Sequence, residues 1–293
     1  MVTVLTSGHV NWDVTLRVDR LPEPDGEAAI RSQRSSGGGS AANVATALAR
    51  LEVEAGLVGS VGDDDNGLLA RRELTDEGVD LAGLRVLENA ETAVKYLLVD
   101  DAGEVAVLGN DGANEAVRPA DVDPDRVRMA DHVHLTGQRP DTAAYIASVA
   151  DEAGVSVSFD PGRRLADRDY DEALARADVV FVTDREAESI LTEAYPGSTF
   201  SDRLVVVTHG SDGAHVHTPN GSIAHPGFDV ESIDTTGAGD AFAAGFIATR
   251  LEGGDVERAL EYANACGALA ASREGARSAP TTAEVASFFA DRF

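Results

Sequence analysis

Asp234-Thr235-Thr236-Gly237-Ala238-Gly239-Asp240 runs directly into the apolar stretch 241–247. Two glycines allow close backbone approach, so the N–H groups of Gly237, Ala238 and Gly239 can converge on one anion. A helix starting there adds the positive end of its dipole. Asp240 would then stand in the first helical turn, beside the place where a phosphoryl group is held. An anion cradle next to a carboxylate supplies what phosphoryl transfer to an alcohol needs: charge stabilisation and a proton acceptor. A capped helix whose Asp merely favours the dipole would carry the same few residues, so a second motif has to decide.

That second motif is Ser36-Gly37-Gly38-Gly39-Ser40-Ala41-Ala42-Asn43, leading into an alanine-rich helical stretch. The two motifs together resemble the ribokinase/PfkB family of carbohydrate kinases. So does the order of Gly62-Asp63-Asp64-Asp65-Asn66-Gly67, Gly112-Ala113-Asn114, Asp160-Pro161 and Thr208-His209-Gly210 between them. The resemblance runs over nearly the whole chain. It implies an ATP-dependent kinase that transfers the γ-phosphoryl group to a hydroxymethyl group of a small sugar or nucleoside, with Asp240 as base. It implies acceptor contacts from Asn11, Asp13, Gly38, Gly39, Asn43 and Gln138, and nucleotide contacts from Thr183, Glu186, Thr208, Gly210 and Asn264. Mg²⁺ would enter with ATP and meet Glu186 through water, and a monovalent cation such as K⁺ would sit at Asp234, Gly275 and Ser278.

The chain departs from the family at two places. Ser40 stands where ribokinase members carry a basic residue, which weakens a specific claim for ribose. Thr183 replaces the Asn of an Asn-x-x-Glu motif; a hydroxyl cannot copy both functions of an amide. Arg164, with Arg163 and Arg139, could grip an anionic group bidentately. The acceptor alternatives are therefore a 2-keto-3-deoxy sugar acid or a sugar phosphate such as ribose 1-phosphate. Against this stands surface ion pairing, which an arginine-rich composition also favours.

The chain has 293 residues and a formal charge of −27, and Lys95 is the one lysine among its 24 basic residues. Spread acids on this scale read as a protein of a salt-loaded cytoplasm, where ions screen self-repulsion. The same charge disfavours nucleic acid as a partner. Without an apolar run long enough to span a bilayer, no membrane role is expected. Cys266 has no intrachain partner and reads as a small core residue.

Short valine-rich strands at 2–6, 132–137, 155–160, 179–183 and 204–208 alternate with helices at 43–50, 67–78, 142–152, 185–194, 241–251, 256–272 and 282–292. Such alternation predicts a mostly parallel, doubly wound sheet with helices on both faces. By the resemblance this is one ribokinase-like α/β domain over residues 1–293. Ligands in such sheets gather at the carboxyl ends of the strands. Two extended segments, about 14–35 and 90–111, break the alternation. By the resemblance they form a small β-sheet lid that makes a homodimer contact. An Asn220-Gly221 turn would pair His217 with Ala224 and Val216 with His225; His225 then faces away from His215 and His217, and no zinc site is assigned. A Rossmann dehydrogenase fits poorly, because Arg31–Ser35 is polar where that fingerprint needs a buried strand. A non-catalytic nucleotide- or sugar-binding module is the remaining alternative, and retention of Asp240 argues against it.

Overall fold

Neighbouring residues of the central strands feed two different cores. Val180 and Val182 pack on one side while Phe181 packs on the other, and Val205 and Val207 divide from Val206 in the same way. Side chains alternate across a strand, so a strand covered on both faces must be apolar at every position. That is why the valine runs could be read as strands of a parallel sheet.

The computed structural model describes residues 3–102, 104–191 and 203–292. Along the chain come β1 (Val4–Ser7), β2 (Asn11–Val18), β3 (Ile30–Gly38), α1 (Ser40–Arg50), β4 (Ala55–Gly62), α2 (Asp65–Asp76) and β5 (Asp80–Leu87). Next are β6 (Ala93–Val99), β7 (Val105–Gly109), α3 (Pro124–Arg128), β8 (His132–Thr136), α4 (Pro140–Ala153), β9 (Ser156–Asp160) and α5 (Asp171–Leu174). The last part holds β10 (Val179–Thr183), α6 (Asp184–Leu191), β11 (Leu204–Thr208), β12 (Ala214–Thr218), β13 (Gly221–His225), α7 (Ala238–Leu251), α8 (Val256–Ala271) and α9 (Thr282–Ala290). Residues 2 and 192–194, which the sequence assigns to a strand and a helix, lie outside the described residues.

The large sheet has the order β13-β12-β11-β10-β9-β8-β1-β4-β5. All its pairs are parallel except those of the β12–β13 hairpin. Helices α1, α7 and α8 cover one face and α3, α4 and α5 the other. From β1 the sheet grows in one direction to β4 and in the other to β8. The crevice at the carboxyl ends of β1 and β8 is thus a topological switch point, where sheets of this kind hold ligands.

The second sheet has the order β3-β2-β6-β7, with β2 antiparallel to β3, β2 parallel to β6, and β6 antiparallel to β7. Trp12 and Val14 are buried on its inner side, whereas Ile30, Tyr96, Val105, Val107 and Leu108 are exposed. Its register sets Asn11 opposite Gly38, and Asp13 opposite both Ser36 and Lys95. The acceptor residues expected from β2 therefore lie against the glycine-rich end of β3.

Three expectations need correction. Helix α1 begins at Ser40 rather than Asn43, with Gly39 as its cap, so Asn43 lies inside the first turns. Strands β4 and β5 were not foreseen: the sequence AGLVGSVG of β4 has weak strand propensity, and burial between neighbours overrides it. In the hairpin His215 pairs with Ala224 and Ala214 with His225, because Thr218 and Gly221 close the ladder around Pro219-Asn220. The register is off by two residues, which keeps His225 on the face opposite His215 and His217. Among the described residues no helix is long and apolar enough to cross a membrane.

Candidate active site

Asp240 and Asn43 come from helices far apart in sequence, and their N-terminal turns meet. The Asn43 amide donates to Oδ2 of Asp240 at 2.7 Å. Ser40 bonds the same carboxyl, so the residue that departs from the ribokinase pattern touches Asp240 itself. Burial pushes the Asp240 carboxyl up to about 6, against the hydrogen bonds of Asn43 and Ser40 and the charge of Lys95. A base with that value is mostly ionised at neutral pH and still close to proton balance, as general-base catalysis requires.

The turn before α7 is built on Gly237. Its φ is 78°, and a Cβ there would lie 2.0 Å from the carbonyl oxygen of Ala276. In this turn the Ala238 N–H donates to the Thr235 carbonyl at 3.2 Å. Gly237 caps the helix, and Ala238 and Gly239 line the cavity beside it.

On the other side, Asn43 belongs to a group of buried polar residues with Asn11, Asp13 and Gln138. A Cβ at Gly38 would meet Oδ2 of Asp13 at 2.2 Å, so only glycine fits there. Burial raises the pKa of Asp13, while Lys95 and Arg277 pull it down. Lys95, on the lid strand beside Asp13, thus acts electrostatically on both carboxylates. Asn11 receives a 2.6 Å bond from Asn114, and Gln138 accepts from the Ser7 hydroxyl at 2.9 Å across the β1–β8 switch point. Among the described residues nine buried side-chain polar atoms lack a hydrogen-bond partner, and three of them fall in this group: Nδ2 of Asn11, Oδ1 of Asp13 and Oδ1 of Asn43. Orphaned buried groups are costly and rare, and one donor with two acceptors matches sugar hydroxyls, which both give and take hydrogen bonds.

The opposite end is a cavity of about 1090 Å³. Thr183, Glu186, Thr208, Gly210 and Asn264 all line it, together with Phe228, Val230, Phe242 and Ala268. Asn264 is 7% exposed, so it is not a solvent-facing helix residue; its amide donates to Leu260 at 2.7 Å. Glu186 accepts the Thr183 N–H at 2.8 Å, so the same carboxylate also caps α6. Asp160, unassigned in the sequence, ends β9. Burial, then the charges of Asp240 and Glu186, push its carboxyl up to about 8, against a bond from the Gly162 N–H. Three oxygen-donor acids sharing one cleft suit a hard cation that keeps its waters. Among the described residues no three His, Cys, Asp or Glu side chains converge as a direct metal cage.

Asp234 accepts from the N–H groups of Thr236 at 2.9 Å and Gly275 at 3.0 Å, which brings the two strands of the expected cation loop together. Ser278 donates instead to the Ala270 carbonyl at 3.1 Å. The arginines separate. Arg139 is held on the surface by Asp141, Arg163 lines the large cavity, and Arg164 turns to Asp111 at 2.9 Å and to Glu115. Sequence reasoning passed over Glu115, His9 and Arg168; only Glu115 had a local signal, following Gly112-Ala113-Asn114.

Residues 1–283 match the family profile described as "pfkB family carbohydrate kinase". An ATP-dependent ribose-1-phosphate kinase of Halopiger xanaduensis is 73% identical over 100% of both chains. A nucleoside kinase of Methanothermobacter thermautotrophicus is 28% identical over 98% of this chain and 95% of its own. Arabidopsis thaliana ribokinase, solved with ribose and ATP, superposes with a TM-score of 0.86 at 26% identity over 98% of each chain. The match to the family profile over almost the whole chain shows that it belongs to the pfkB family of carbohydrate kinases.

Proposed function

We propose that the acceptor of this ATP-dependent kinase is ribose 1-phosphate, phosphorylated on its 5-hydroxymethyl group to give ribose 1,5-bisphosphate and ADP. The observation that carries a sugar acceptor is the trio of unpartnered atoms on Asn11, Asp13 and Asn43. The 2,3-diol would donate to Asp13 and Asn43 and accept from Asn11, with Gly38 and Gly39 admitting the ring. Asp240 would take the proton of the 5-hydroxyl as its oxygen bonds the γ-phosphorus and the bond to the ADP oxygen breaks. Gly239 and the dipole of α7 would steady the transferred group. The 73% identity to a ribose-1-phosphate kinase supports the phosphate on the acceptor, as does Arg164 at the pocket margin.

ATP would lie in the large cavity, over Thr208, Gly210 and Asn264. Mg²⁺, which accompanies ATP in a structural neighbour from E. coli at 25% identity and a TM-score of 0.86, would be met through water by Glu186 and Asp160. When bound it supplies positive charge to the phosphates. K⁺ would be held by Asp234 and the Gly275 loop. The exposed apolar strands of the lid support a homodimer, and the charge of −27 supports a salt-rich cytoplasm.

A neutral sugar or nucleoside acceptor is the second reading, favoured by the internal ion pairs that already occupy Arg164. ADP release in concentrated KCl, measured over a panel of sugars, nucleosides, sugar acids and sugar phosphates, tests both. Turnover of ribose 1-phosphate above that of ribose and inosine is expected; the reverse order would establish the second reading.

A further inference from the structure

Three basic side chains converge on one oxygen of Glu115. Its Oε1 lies 3.1 Å from Nε2 of His9 and 2.8 Å from a guanidinium nitrogen of Arg168, and Arg164 bonds the same atom. Arg168 also donates to the Gln138 carbonyl at 2.9 Å, and Arg164 to Asp111 at 2.9 Å. The groups come from four separate segments: the end of β1, the loop after β7, the turn after β9 and the stretch before α5. Burial raises the Glu115 carboxyl, but bonds from His9 and Arg168 and their charges outweigh it and hold it at about 2. The backbone of Glu115 has φ 64°, a left-handed conformation that a non-glycine residue rarely keeps without support.

The cluster borders the acceptor pocket through two residues already placed there. Glu115 follows Asn114, which bonds Asn11, and Arg168 bonds Gln138. Asp240 borders the same pocket through Asn43 instead. In a pentofuranose the C1 and C5 substituents leave ring carbons on opposite sides of the ring oxygen. A sugar that offers O5 to Asp240 and its diol to Asp13 therefore sends its C1 group towards a third wall. Two guanidinium forks and an imidazole suit a phosphate, which offers three oxygens, better than a single carboxylate oxygen.

We infer that His9, Arg164 and Arg168 form the subsite for the acceptor's phosphate, and that Glu115 is its internal occupant, displaced when that phosphate binds. The inference rests on the ribose 1-phosphate reading. Without substrate the carboxylate keeps the basic groups in place; on binding, the dianion takes them over.

Acceptor and ATP KM values, with ribose 1-phosphate and ribose compared, test it in the parent enzyme and in Glu115→Gln, Arg164→Met and Arg168→Met. Glu115→Gln should lower KM for ribose 1-phosphate at least about threefold and leave that for ribose unchanged. Either arginine variant should raise KM for ribose 1-phosphate about tenfold or more, with KM for ATP steady, since a charge-assisted contact is lost. Inorganic phosphate should compete with ribose 1-phosphate but not with ATP in the parent enzyme, a readout that requires no variant to fold. A rise in KM on Glu115→Gln, or phosphate competing only with ATP, would overturn the subsite. Failure of the parent enzyme to turn over ribose 1-phosphate while it phosphorylates ribose or a nucleoside would instead remove the acceptor reading beneath it.

Discussion

The two ends of the cleft are built by opposite means. The end proposed for the acceptor is polar, with buried groups from β1, β2, α1 and the turn after β8 fixed by bonds such as Asn114 to Asn11 and Ser7 to Gln138. The other end is a wide cavity of about 1090 Å³, where Phe228, Val230, Phe242 and Ala268 share the lining with polar and charged side chains such as Arg163, Glu186, Thr208 and Asn264. A pocket of preset hydrogen bonds discriminates strongly, because any group it fails to match is left buried and unpaired. A wide cavity with apolar walls grips a flat base largely by area and discriminates less. On the proposed assignment of the two ends, acceptor choice is thus written in individual side chains, and nucleotide binding more in shape.

If that contrast is sound, removing the base at the junction has the largest effect. Asp240→Asn should keep the fold and lower kcat by at least about 10²; turnover within threefold of the parent would mean that another group takes the proton. The same carboxyl sets the pH profile. Its protonated form is inactive, so kcat/KM should fall about tenfold per pH unit as pH drops through the carboxyl's value of about 6. A flat profile between pH 5 and 7 would contradict the assignment.

Asp13→Ala comes next: acceptor KM should rise about tenfold or more with ATP KM unchanged, since two charge-assisted bonds disappear. Equal changes in both constants would show that the two ends are not separate. Asn264→Ala should do the converse on a smaller scale, raising ATP KM by about two- to fivefold through one neutral contact. The smallest effect concerns the surface that both ends share. Carboxylate repulsion is screened over about 3 Å in molar salt against about 10 Å at 0.1 M, so Tm should climb as KCl rises from about 0.1 to 3 M. A flat Tm would mean that ion pairs such as Arg50–Glu77 and Arg126–Asp80 already offset the acids locally.

Legibility in the sequence followed the range of the interactions involved. Helix α7, its glycine turn and Asp240 sit within one short segment, where spacing alone gives relative position. The valine strands were legible for a similar reason, since burial on both faces demands apolar residues at every position. Strand β4 was not, because three glycines hide a strand that only its neighbours stabilise. Asp160 looked like part of a strand-end motif, and its carboxyl is raised by burial first and then by the charges of Asp240 and Glu186, all set by the fold. The three arginines near residues 139–164 looked interchangeable, yet each ends in a different place.

By itself, then, the sequence determined the α/β alternation, the two glycine-rich turns and the place of Asp240 at the start of a helix, all products of local backbone geometry and periodicity. Only the tertiary structure decided that Ser40 and Asn43 bind that base, and that His9, Arg164 and Arg168 meet on Glu115. Such convergence depends on strand order and loop packing, which bring together residues 49 and 53 positions apart at Glu115 and 197 apart at Asp240, and leave no trace in their spacing along the chain.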